Sequence, residues 1–130
     1  MNLKFDSEIP LYIQIAEEIK DGILSGGFPE ETQVPSTTEI SVAYKINPAT
    51  VLKGMTLLGD EGILYKRRGI GMFVCRGAAA KIRQKRRQAF YEQYVVPLLD
   101  EAKKLGIERA QLTAMLSEQS AGGPELSDSL

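Results

Sequence analysis

The sequence predicts a mainly α fold with one small β-hairpin (α+β). Three observations carry that expectation. Apolar residues recur every three or four positions through 10–25 and 47–62, the period of an amphipathic helix. Only Lys45 and Ile46 separate the second helical stretch from the third. Two short runs of β-formers, Ile63–Lys66 and Met72–Cys75, flank a glycine-bearing turn.

The first helix is expected from Pro10 to Ser25. Proline suits a first turn because the amide it lacks would be unpaired there in any case. Tyr12, Ile15, Ile19 and Ile23 form the inner stripe, and Glu17, Glu18, Lys20 and Asp21 fall largely outside it. Gly26-Gly27 ends the helix and Pro29 prevents its resumption. Gln33-Val34-Pro35-Ser36 opens the second helix. Ser36 and Glu39 have the S-x-x-E spacing, in which each side chain satisfies the other's backbone N–H. Ile40 and Ala43 are expected to face inward, and the helix ends near Tyr44.

The third helix is expected over Asn47–Gly62. Asn47 is a good N-cap, since its side chain accepts an orphan N–H of the first turn, and Pro48 falls at the first helical position. Val51, Met55 and Leu58 make one apolar stripe, and Gly62 stops the helix. Ala49, Thr50 and Lys53 lie off that stripe, near the helix start. Two short helices joined by so tight a turn make a helix-turn-helix pattern, for which any three-helix bundle is the bland alternative. The hairpin that follows carries Lys66, Arg67 and Arg68 at or beside its tip, which reads as a wing.

The formal net charge of −1 hides a strong asymmetry. Residues 62–91 hold nine Lys and Arg and no Asp or Glu, whereas 1–61 sum to −6 and 92–130 to −4. A concentrated basic segment in a neutral chain suggests a contact with a polyanion; a solvated helix face is the competing explanation. Double-stranded DNA is the expected partner. The outer face of the third helix would meet base edges, and the wing would meet phosphates or a narrow minor groove. A winged-helix module that binds only protein, with no specific DNA site, is the alternative.

Catalysis is not expected. The chain has no histidine, the usual general base, and a single cysteine, Cys75, so neither a disulfide nor a cysteine-built metal site can form within it. No metal or cofactor is expected. No apolar run approaches a membrane span and the N-terminus has no signal-peptide pattern, which gives a cytoplasmic expectation.

The run VPSTTEI…INPATVLKGMTLLGDEGIL…RRGIGMFV resembles the GntR family of transcriptional regulators. The N-P-x-T-V helix start and the short C-terminus are similar to its YtrA subfamily. The resemblance covers Ile9–Val74 and implies a winged helix-turn-helix, a homodimer and a regulator, most often a repressor, acting on a palindromic operator. It implies DNA contacts at Ser36, Thr38, Asn47, Pro48, Ala49, Thr50, Lys53, Lys66, Arg67, Arg68 and Gly69. The chain departs from the family pattern at Thr38, where relatives usually carry a DNA-contacting Arg, and outside the subfamily at Pro48. Gly54 and Gly59 replace better helix formers, each at a cost of about 0.8–1 kcal/mol relative to Ala.

Three regions are expected: a winged helix-turn-helix over 1–76, a short C-terminal helical dimerisation region over 77–119, and a disordered tail over 120–130. In the second, a long helix begins at Ala78, and Phe90, Tyr94, Leu98, Ala102 and Leu105 continue one stripe through Pro97, which should kink or break it. A last helix over Glu108–Glu118 adds Leu112, Met115 and Leu116. Two helices of this size hardly enclose a core alone, so these residues are expected to pair with a second copy. An unidentified small-molecule effector is a further candidate partner, with its site expected near Tyr91 and Tyr94.

Overall fold

The computed structural model describes residues 1–120; the expected tail lies outside the described residues from position 121, while Ser120 itself ends a helix. The chain divides into two compact units, Met1–Arg86 and Arg87–Leu130. The division falls after Arg86 rather than Arg76 because Ala78 and Ile82 belong to the core of the first unit.

In the first unit, α1 spans Leu11–Ser25, α2 Thr37–Tyr44 and α3 Pro48–Asp60. The hairpin is β1 (Leu64–Arg67) with β2 (Gly71–Val74), and α4 (Ala78–Phe90) follows. Ile15, Ile19 and Ile23 of α1 pack with Val51, Met55 and Leu58 of α3, all nearly inaccessible. Ile40 is the single buried residue of α2. Ala43 is exposed rather than inward, because so short a helix offers the core little more than one turn.

Lys20, expected outside the inner stripe, is buried instead. Its Nζ lies 2.8 Å from Glu61 Oε1 and 3.1 Å from Glu17 Oε2. Burial opposes its charge, but hydrogen bonds to Glu61 and Glu17, with their negative charges, outweigh burial and hold its pKa above the ordinary lysine value. The ion pair ties α1 to the residue capping the C-terminus of α3.

Gly54 is buried where α1 and α3 meet. A Cβ there would lie 2.8 Å from the carbonyl oxygen of Tyr12 and 3.4 Å from Ile15 Cγ2, so the close helix approach requires glycine. This is the structural reason for a residue that costs helix propensity.

β1 and β2 are antiparallel, with Leu64 opposite Val74 and Arg67 opposite Gly71. Segment 31–34 lies along the far edge of β2: Glu31 N–H donates to the Val74 carbonyl, Val74 N–H to Thr32, and Val34 N–H to Met72. Gln33, read from the sequence as leading into α2, thus braces the hairpin.

The second unit continues from α4 through a π-helical turn, Tyr91–Val95, into α5 (Val96–Lys104), and after Gly106 into α6 (Arg109–Ser120). Pro97 neither breaks the helical path nor sits inside a regular helix; it falls in the first turn of α5 directly after the π turn. The wider turn absorbs a residue that cannot donate backward and whose ring crowds the carbonyl four residues earlier.

Candidate nucleic-acid interface

The helix-turn-helix is assembled by caps. Ser36 Oγ accepts from Glu39 N–H at 3.0 Å, and Glu39 Oε1 accepts from Ser36 N–H at 2.9 Å. The Ser36 amide, and then its hydroxyl, hold the exposed Glu39 carboxylate below the usual range. Between the helices, Lys45 takes a left-handed conformation, and Ser41 Oγ donates to the Ile46 carbonyl at 2.6 Å. Ile46 is buried and anchors the turn. Asn47 Oδ1 then accepts from Ala49 N–H at 2.8 Å, and Pro48 opens α3.

This leaves the start of α3 facing outward. Pro48, Ala49 and Lys53 are exposed and Thr50 is half-buried. Ala49, Thr50 and Lys53 line one open depression with Pro10, Leu11 and Tyr12 of the α1 start. Lys53 Nζ lies 4.2 Å from the centroid of the Tyr12 ring. Thr38 is exposed at the start of α2 but lines a different depression, with Phe28, Val42 and Tyr44. Ser36 and Asn47 use their side-chain oxygens as caps.

Lys66, Arg67, Arg68 and Gly69 are exposed at the wing tip. Gly69 has φ 77°, a left-handed value that glycine takes without strain. Gln33 Nε2 donates to the Ile70 carbonyl at 2.9 Å and steadies the turn. The Arg67 guanidinium sits 4.8 Å from the Phe73 ring, which stacks on Tyr65. Among the described residues, no acidic side chain pairs with Lys53, Lys66, Arg67 or Arg68.

The basic stretch beyond the wing is different. Arg86 reaches Asp21 at 2.8 Å and Glu17 at 3.0 Å, and Lys85 lies 4.0 Å from Glu61. Burial opposes the Arg86 charge, yet Asp21 and Glu17 outweigh it and raise its pKa above the ordinary value. These two cations are partnered within the first unit. Tyr12 and Gln33 were missed from sequence: Tyr12 continued an apolar stripe, and Gln33 carried no pattern of its own.

In the second unit an open groove of about 570 Å³ is lined by Phe90, Tyr94, Leu98, Ala102, Leu112 and Leu116, among others. Phe90, Tyr94, Leu98, Leu105 and Leu116 are exposed, Leu112 and Met115 half-buried, and Ala102 buried. Tyr94 lines the groove; Tyr91, the other tyrosine expected beside an effector, does not.

Two capped helices, the second with its start exposed, followed by a basic hairpin define a winged helix-turn-helix protein of the DNA-binding class. Residues 11–74 match the bacterial regulatory proteins of the gntR family. The chain is 30% identical to the transcriptional repressor YtrA of Bacillus subtilis over 88% of each chain. It is 36% identical to the repressor NagR of the same organism over 58% of this chain, which is only 31% of NagR. A GntR-family regulator from Bacteroides thetaiotaomicron superposes with TM-score 0.73 at 34% identity, over 85% of this chain and 96% of that one. The DNA-binding domain of AraR, solved in complex with operator ORX1, superposes with TM-score 0.52 at 28% identity, over 58% of this chain and 93% of that one. The chain belongs to the gntR family of DNA-binding transcriptional regulators and, within it, to the YtrA subfamily. Among the described residues, no helix is long and apolar enough to cross a membrane, and no cluster of His, Cys, Asp and Glu could hold a metal ion.

Proposed function

We propose that the chain acts in the cytoplasm as a homodimeric repressor that recognises a palindromic operator. The observation that carries this reading is the exposed start of α3, where Lys53 has no acidic partner among the described residues, beside a wing whose Arg67 and Arg68 have none there either. Ala49 and the Thr50 methyl would contact thymine methyl groups, and Lys53 a guanine O6 or N7. Thr38, Lys66, Arg67, Arg68 and the Gly69 amide would meet the phosphate backbone and position the helix. Ser36, Asn47 and Pro48 serve the same surface by fixing the starts of α2 and α3.

The repressor names of NagR and YtrA, and the operator complex of AraR, support the reading. Self-association is assigned to the second unit, through Phe90, Tyr94, Leu98, Ala102, Leu105, Leu112, Met115 and Leu116, whose exposed members leave a broad apolar surface.

Selection of bound sequences from a random double-stranded pool tests the proposal. The expected result is an inverted repeat with half-sites about one helical turn, 10–10.5 base pairs, apart. A pool that stays random would overturn it and leave the protein-binding module as the reading.

A further inference from the structure

We propose that Tyr12 is a positioning residue for base recognition: its ring seats the Lys53 ammonium and holds it at the start of α3. The proposal rests on the DNA-reading role given above to Lys53.

The sequence places Tyr12 on the stripe of Ile15, Ile19 and Ile23, yet those three are buried and Tyr12 is half-buried. Its ring therefore does not fill the core. It lies at the rim, in the same open depression as Ala49, Thr50 and Lys53. The backbones put it there. Gly54, the neighbour of Lys53, brings α3 so close to α1 that a Cβ would stand 2.8 Å from the Tyr12 carbonyl oxygen. The turn of α3 that carries Lys53 is thus fixed opposite Tyr12. Lys53 Nζ then lies 4.2 Å from the ring centroid, a separation at which the negative face of the ring attracts the cation.

The choice of an aromatic partner matters chemically. A carboxylate in that place would neutralise the ammonium and compete with DNA for it. A ring restrains the charge without cancelling it and leaves the N–H donors on the far side open. A long lysine pays rotamer entropy when it is immobilised at an interface, and a side chain already seated pays less. Lys53 has no acidic partner among the described residues, so the ring is the contact that sets its direction.

The test uses the full chain, an operator selected from a random pool, and competition against its single-base variants. Tyr12→Phe keeps the ring and should match the native protein within about two-fold. Tyr12→Leu should lose about three-fold in discrimination, only at the base pairs that Lys53→Ala affects. The double variant should discriminate no worse than Lys53→Ala alone. A Tyr12→Leu loss spread evenly over all sequences, or additive with Lys53→Ala, would overturn the proposal.

The seat is also read without DNA. In the free protein the Lys53 ε-methylene protons should be shifted upfield by the ring in native chain and Tyr12→Phe alike. This measurement does not depend on Tyr12→Leu folding, and ordinary lysine shifts would overturn the seat. Upfield shifts together with a pool that stays random would instead show that the DNA reading had failed, and the positioning role with it.

Discussion

Two glycines in one helix make opposite demands. Gly54→Ala would gain about 1 kcal/mol of helix propensity, but its methyl would stand 2.8 Å from a backbone oxygen that cannot swing aside. Overpacking of this kind costs about 1–3 kcal/mol, so the variant should be less stable than the native chain in urea unfolding. Gly59 is exposed, and a Cβ there would meet nothing nearer than Met72 Cε at 4.0 Å. Gly59→Ala should stabilise by about 0.4–1 kcal/mol. Equal signs for the two variants would contradict the packing assigned to the α1–α3 contact. At the α2 cap, the Glu39 carboxylate is held below its ordinary range by the Ser36 amide and hydroxyl. A carboxylate with a depressed folded pKa contributes stability that is present above its unfolded pKa. That contribution is lost as pH falls through the lower folded value. NMR titration should place Glu39 below the usual glutamate range, and Ser36→Ala, which removes the hydroxyl but keeps the amide, should move it part of the way back.

At the scale of elements, the wing and α4 divide the basic segment between two tasks. Arg68 is exposed at the tip with no acidic partner among the described residues, whereas Arg86 is bound to Glu17 and Asp21. Arg68→Ala should therefore weaken operator and random DNA by similar factors and lower the log–log salt slope by about 0.9 for one lost phosphate contact. Arg86→Ala should leave the slope unchanged and lower the unfolding midpoint. A reduced slope in Arg86→Ala would mean that its ion pairs open on DNA. The sequence legibly announced the elements whose signals are local: the Ser36–Glu39 box, the Asn47-Pro48 start and the glycine-bearing wing tip each depend on neighbours a few residues apart. It did not announce features that join distant segments. The pairing of 31–34 with β2, the burial of Lys20 against Glu61 and the seat of Lys53 on Tyr12 exist only once the chain has closed on itself. The π turn before Pro97 was half legible, since the proline marks a disturbance but not which wider turn accommodates it.

The whole molecule is two compact units, and the cut that separates them is set by the core rather than by composition. A chain ending at Arg76 would lose Ala78 and Ile82, and the isoleucine alone is worth about 1.5–3 kcal/mol of burial. It would also lose the Arg86 pairs to α1. A chain ending at Arg87 keeps all of these and removes the apolar surface of Phe90, Tyr94, Leu98, Leu105 and Leu116. That shorter chain should unfold cooperatively near the native midpoint and sediment as a monomer, while the full chain sediments as a dimer. Its affinity for an isolated half-site should be nearly native, because the start of α3 and the wing are untouched. On the inverted repeat it should bind about 100-fold or more weakly, since the second half-site is then no longer engaged at the high effective concentration a tethered partner provides. If residues 1–87 still dimerise at micromolar concentration, self-association belongs to the first unit, and the exposed apolar residues of α5 and α6 must be assigned another occupant.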